Sequence, residues 1–158
     1  MVLKEINGDL FDMPNDYALA HCISADFALG AGIAKEFNKR FGTRDDLFFT
    51  TCGHNMVDTW DDETRETHGN CIITKYKDTD PFVINLITKR NYWNKPTLKT
   101  IEEALDNMKF CCFLYGISKI AMPRIGCGLD KQKWSDIKPL IEKVFGDTDF
   151  EIVICVKG

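Results

Sequence analysis

The chain has 158 residues, is 44% hydrophobic and 28% charged, and carries a formal net charge of −4, an ordinary globular balance with length enough for a core. The acidic excess argues against a general nucleic-acid binder, which carries a basic face, yet leaves room for a local basic pocket for an anionic small molecule. No apolar run approaches a membrane span and no basic-then-apolar leader opens the sequence, so no membrane partner is expected and a cytoplasmic setting is, with the nucleus also open.

The first strand is expected over "LKEI" (3–6), running into "NGDL" (7–10), where Asp9 is either a turn cap or an acceptor for a ligand. The next strand, "YALAHCI" (17–23), leads into "SADFALGAGIAKEF" (24–37). There Gly30 and Gly32 bracket Ala31 at the start of a helix over "AGIAKEFNKRF" (31–41). Small residues let backbone N–H groups approach an anion, and the helix N-terminus favours negative charge. The pattern is not a dinucleotide fingerprint, since Lys35 stands where the third glycine belongs, and it lacks the Walker lysine pattern. The polar, acidic stretch from Thr50 to Asn70 is expected to be a surface connection.

Strands follow over "NCIITKY" (70–76) and "FVINLIT" (82–88). The second ends in Lys89 and Arg90, with Tyr92 and Trp93 behind them. Lys89 is either a solvated strand-end lysine or a functional one; the aromatic pair is either loop packing or a lid over a cleft. In "TLKTIEEALDNMKFCCFLYG" (97–116), Leu98, Ile101, Leu105, Met108 and Cys112 form one helical stripe, with Thr97 as cap and Gly116 as stop. The "KIAM" strand (119–122) runs into "PRIGCGLD" (123–130), where Gly126 and Gly128 again precede a helix. Two glycine cradles supply about the donor surface a diphosphate needs. Gly128 is expected to require glycine, because a β-branched side chain would crowd a phosphate and resist a positive φ. A helix over "WSDIKPLIEKVF" (134–145) turns Trp134, Ile137, Ile141 and Val144 or Phe145 inward, with Pro139 expected near its first turn. "EIVICV" (151–156) is the last strand.

Alternating strands and helices, several strands apolar throughout, mean an α/β domain with a largely parallel sheet. Seven cysteines without C-x-x-C pairs read as reduced thiols, and Cys22, Cys71 and Cys155 as small hydrophobes in strands. His21, His54 and His68 form no cluster, and no metal-ligand spacing is present.

In order and nearly end to end, "GDLF", "AHCIS", "GAGIA", "LITK", "KPT" and "MPRIGCGLD" followed by Trp134 resemble a macro domain. The combination of "ITK" with "PRIGCGLD" is similar to the terminal ADP-ribose protein glycohydrolase group. The resemblance implies a single macro domain over 1–158, a three-layer α/β/α sandwich with a mixed, largely parallel sheet. It implies ADP-ribose or ADP-ribosylated protein as ligand, with no cofactor and no metal. By matching motif, Asp9 accepts from the adenine amino group beside Leu10, and Ser24 lies on the loop entering the cleft. Gly30, Ala31, Gly32, Ile33 and Ala34, with Pro123, Arg124, Ile125, Gly126, Cys127, Gly128 and Leu129, hold the diphosphate and distal ribose, and Thr88 joins the binding set. Lys89 and Asp130 match the group's catalytic lysine and aspartate. The implied chemistry is removal of ADP-ribose from acidic side chains and deacylation of O-acyl-ADP-ribose. The alternatives are dephosphorylation of ADP-ribose 1″-phosphate, as in a neighbouring branch, or a non-catalytic ADP-ribose module; the presence of both Lys89 and Asp130 favours an enzyme. Two stretches depart from the group: the long acidic connection from Arg44 to Asn70, and a last strand ending in "CVKG".

Overall fold

A computed structural model describes residues 1–157. Its strands are β1 (Val2–Asn7), β2 (Ala18–Ser24), β3 (Asn70–Thr74), β4 (Val83–Lys89), β5 (Lys119–Met122) and β6 (Glu151–Val156). They form one sheet in the order β1-β6-β5-β2-β4-β3. Neighbours are parallel except at the edge, where β3 runs antiparallel to β4. The central strands β2 and β4 are buried almost throughout, which is why they read as apolar runs rather than alternations. One polar pair interrupts them: His21 and Asn85 are register partners, with Nε2 and Oδ1 2.6 Å apart.

Helices cover both faces and complete a three-layer α/β/α sandwich. On one side lie α1 (Gly32–Phe41), α2 (Thr43–Thr50) and the short α3 (Val57–Asp61), anchored by fully buried Phe37 and Leu47. On the other lie α4 (Leu98–Tyr115) and α5 (Trp134–Phe145), which bury Ile101, Leu105, Met108, Ile137 and Ile141. Thr97 and Thr100 close a reciprocal capping box at the start of α4, and Gly116 ends it in the left-handed region with φ 69°. No helix among the described residues is long and apolar enough to cross a membrane.

The structure departs from the sequence reading at four points. Leu98 is 39% exposed, because it opens α4 before the helix reaches the sheet, so the buried stripe begins at Ile101. Pro139 is the sixth residue of α5 rather than a first-turn residue. It lies on the exposed face, and the N–H it lacks would have reached back only to Ser135, itself exposed in the first turn. The stretch from Thr50 to Asn70 is not all connection: α3 stands within it, its start held by Met56 N–H donating to Ala25 O at 2.8 Å. Finally, Gly126 and Gly128 do not open a helix, since α5 begins at Trp134.

Candidate active site

Because β1, β6, β5, β2 and β4 are parallel, all five release the chain at the same edge of the sheet, and their loops collect there. Four interstrand steps separate β1 from β4, about 19 Å at roughly 4.8 Å each. Two adjoining cavities run across these strand ends. One, about 560 Å³, lies against Asp9, Leu10, Phe11, Arg40 and Lys157. The other, about 730 Å³, lies against Ser24, the 30–34 segment, Lys89 and Asp130, with Tyr92 and Trp93 also on its wall. Ile33, Pro123 and Arg124 line both, so the two make one long cleft.

At the β4 end the register slips. Ile23 pairs with Ile87, but Ser24 pairs with Lys89. Thr88 is the extra residue of this irregularity; it is buried, and its Oγ1 has no hydrogen-bond partner among the described residues. Ala25 N–H then donates to Lys89 O at 2.8 Å, holding the two strand ends together. Lys89 Nζ donates to Asp130 Oδ1 at 2.6 Å, with side chains 15% and 14% exposed. Asp130 is delivered by a turn through Gly126, φ 72°, pinned by Gln132 N–H to Gly126 O at 2.7 Å. The Cys22 thiol lines the same cavity, but burial, with the charge of Asp130 adding to it, pushes its pKa up to about 12. It stays protonated, so Lys89 is the stronger candidate nucleophile.

Between the ends lie unpaired backbone amides. Ala31 caps α1 without a side-chain hydrogen bond, so the N–H groups of the first turn lack intrahelical acceptors while their residues line the cleft. Gly128 and Leu129 add amides that find no acceptor among the described residues. Arg124, held to Glu5 at 3.3 Å, adds positive charge on the shared wall.

The loop feeding α1 is organised by Asp26. Its Oδ1 accepts from Ser24 Oγ at 2.5 Å and from Ala28 N–H at 3.1 Å, and its Oδ2 accepts from Tyr92 N–H at 2.9 Å. Phe27 and Leu29 adopt positive φ values of 55° and 43° and bury their side chains beneath the loop.

At the β1 end, Asp9 Oδ1 accepts from Phe11 N–H at 3.0 Å and Oδ2 from Lys157 Nζ at 3.2 Å. These contacts, the backbone one first, hold its carboxyl below the usual range. The Arg40 guanidinium sits 4.4 Å over the Phe11 ring.

The fold thus brings Asp9 and Leu10 to one compartment, and Ser24, Gly30, Ala31, Gly32, Ala34, Lys89, Ile125, Gly126, Gly128, Leu129 and Asp130 to the other. Thr88 and Cys127 line neither; the Cys127 thiol instead donates to Ile125 O at 3.4 Å. Gly128 does not adopt a left-handed φ, and a Cβ there would meet nothing within 4 Å, so the backbone freedom expected of it belongs to Gly126 and Gly32. Sequence reasoning passed over Asp26, Arg40 and Cys22 as site residues. A short polar side chain two residues past a strand, before a small-residue loop, was the available signal for Asp26.

The macro domain family model matches residues 20–141. ADP-ribose glycohydrolase OARD1 of Homo sapiens is 36% identical over 149 residues, covering 94% of this chain and 88% of the relative. ADP-ribose 1″-phosphate phosphatase of Aspergillus oryzae is 25% identical, covering 96% of this chain and 92% of the relative. Among solved structures, the macrodomain of Mycobacterium tuberculosis DarG matches with a TM-score of 0.78 at 19% identity, covering 99% of each chain. That last likeness is one of fold.

Proposed function

Because the chain belongs to the macro domain family, we propose that it is an ADP-ribose-binding hydrolase that removes ADP-ribose from acidic protein side chains and deacylates O-acyl-ADP-ribose. The human relative named as an ADP-ribose glycohydrolase supports this reading. The single observation that carries it is the 2.6 Å Lys89–Asp130 pair at the end of a cleft that spans five strand ends.

In this reading adenine occupies the β1 compartment, with its amino group donating to Asp9. The diphosphate crosses the shared wall, under the amides of the 30–34 and 124–129 segments and beside Arg124. The distal ribose reaches Lys89. Asp130 takes a proton from the Lys89 ammonium, and the neutral amine attacks the anomeric carbon. The carbon–oxygen bond to the acyl group breaks, and the carboxylate leaves with the electron pair. Water, delivered with help from Asp130, then cleaves the new carbon–nitrogen bond and restores the lysine. A reducing, cytoplasmic compartment suits seven free thiols.

The Aspergillus relative favours a second reading, in which Asp130 activates water at the phosphorus of ADP-ribose 1″-phosphate. The two are tested together by incubating the protein with a glutamate-ADP-ribosylated peptide and with ADP-ribose 1″-phosphate. Release of ADP-ribose from the peptide, lost in Lys89→Ala while free ADP-ribose still binds, is expected. Turnover of the phosphate alone would replace the hydrolase reading with the phosphatase one. Binding without turnover of either would leave a non-catalytic module.

A further inference from the structure

We propose that the Lys89 end of the cleft continues into a docking surface for a short acidic segment of the modified protein, built from Tyr92, Trp93, Lys95, Lys131 and Lys133. This deepens the hydrolase reading and rests on it. A ligand running from Asp9 to Lys89 uses the strand ends up to β4. Whatever is attached at the reacting carbon therefore lies beyond β4, where the loop to α4 stands.

That loop holds two large aromatic side chains in water. Tyr92 and Trp93 are 64% and 66% exposed and pack edge to face, with ring centroids 5.0 Å apart. Core packing does not explain them, and loop mobility does not either. Tyr92 N–H is bonded to Asp26, Asn91 N–H donates to Asn94 Oδ1 at 2.9 Å, and Asn94 N–H returns to Asn91 O at 3.0 Å. An ordered turn that presents apolar faces at a cleft is suited to packing against a partner chain.

Charge identifies the partner. Gln132 Nε2 donates to Pro96 O at 2.8 Å, which brings Lys131 and Lys133 to the same rim as Lys95. All three are exposed, and none forms an ion pair among the described residues, whereas Lys89, Lys109, Lys119 and Lys143 all do. On the α3 side of the loop Arg90 is neutralised by Asp61 through bonds of 3.1 and 2.8 Å, and α3 with its C-cap also carries Asp58 and Asp62. A long polyanion crossing the mouth would meet these carboxylates. A short acidic peptide can reach the lysines without extending to α3, so a peptide fits better than a nucleic acid.

The test uses two peptides, each with one ADP-ribosylated glutamate, one flanked by Asp and Glu and the other by Ser and Gly. The wild-type protein should favour the acidic peptide in kcat/KM by about three- to tenfold, mainly through KM, and the preference should shrink as salt rises. Lys131→Glu/Lys133→Glu should abolish the preference while leaving the affinity for free ADP-ribose unchanged. Tyr92→Ala/Trp93→Ala should raise KM for both peptides without lowering Tm. Equal handling of the peptides by the wild type, or a preference that survives the lysine reversal, would overturn the proposal and leave the hydrolase reading intact. If neither peptide is hydrolysed, the hydrolase reading falls. The same comparison made as Kd by calorimetry then decides the docking surface alone: tighter binding of the acidic peptide upholds it, and equal binding removes it. A single-stranded oligonucleotide that binds this rim more tightly than the acidic peptide would overturn the proposal in favour of nucleic acid.

Discussion

Gly32 and Leu129 meet across the cleft: a Cβ on Gly32 would lie 3.0 Å from Leu129 Cδ1. The contact joins the segment that opens α1 to the segment that delivers Asp130, so the two amide-bearing loops set each other's spacing. Gly32 also has φ +59°, where alanine costs about 1–2 kcal/mol. Gly32→Ala is therefore expected to lose stability of that order and to bind ADP-ribose more weakly, because a residue that resists φ +59° shifts the first-turn amides of α1 that line the cleft. Gly128→Ala has neither strain nor a neighbour, and its stability should stay within about 0.5 kcal/mol of wild type. Chemical denaturation of the two variants separates them; equal losses would mean that the Gly32–Leu129 contact has no special role.

Asp9 is already engaged through both carboxylate oxygens, one by a rigid backbone amide and one by the mobile Lys157 side chain. A base amino group competes only with the second. Asp9→Ala is expected to raise the Kd for ADP-ribose on the order of ten- to a hundredfold, the loss of one hydrogen bond to a charged group. Lys157→Ala breaks only an exposed pair, so stability should not change measurably, and affinity should hold or improve. Titration calorimetry on both decides it. A weaker complex with Lys157→Ala would make that lysine a ligand contact rather than a competitor.

These contrasts mark how far the sequence could be read. The strands were legible because β2 and β4 are buried on both faces and leave largely apolar runs, and α4 because its stripe and Thr97 cap are local. The glycine loops carried recognisable local patterns, whereas the pairing of Lys89 with Asp130, 41 positions apart, was legible only through the family resemblance. What stayed hidden depends on contacts between distant residues. Asp26 holds Tyr92, 66 positions away. The short α3 starts where Met56 meets Ala25, and its five residues carry no readable period. Gly126 and Gly128 look alike in sequence, and only the backbone path shows which of them needs to be glycine.

His21 gives the fold a pH dependence. It is fully buried, stacked on Phe37 at 3.9 Å, and burial lowers its pKa to about 4 from an ordinary 6.5. Between those values the unfolded chain binds a proton that the folded chain refuses. Stability should therefore be highest above pH 6.5 and fall as pH drops towards 4, by up to about 3 kcal/mol from this residue. His21→Gln keeps a donor for Asn85 but cannot ionise. Denaturant melts across this range should show a shallower slope for the variant. Parallel slopes would mean that other groups set the acid limit.

Lys89 and Asp130 are each other's charge partner, and removing one changes the chemistry of the other. In Asp130→Ala the Lys89 side chain loses its charge partner. Attack on the distal ribose can then proceed, but the group that helps water reach the carbon–nitrogen bond is gone. Intact-protein mass spectrometry after mixing Asp130→Ala with an ADP-ribosylated peptide should show the protein heavier by one ADP-ribosyl unit. The same treatment of Lys89→Ala/Asp130→Ala should show no such species, and peptide mapping of the single variant should locate the added mass on Lys89. Lys89→Ala alone should bind free ADP-ribose yet release none from the peptide, because the amides and Asp9 proposed to hold the ligand lie on other loops. Full activity in Lys89→Ala would rule out attack by the amine, and Asp130 acting on water directly would then be the mechanism to pursue.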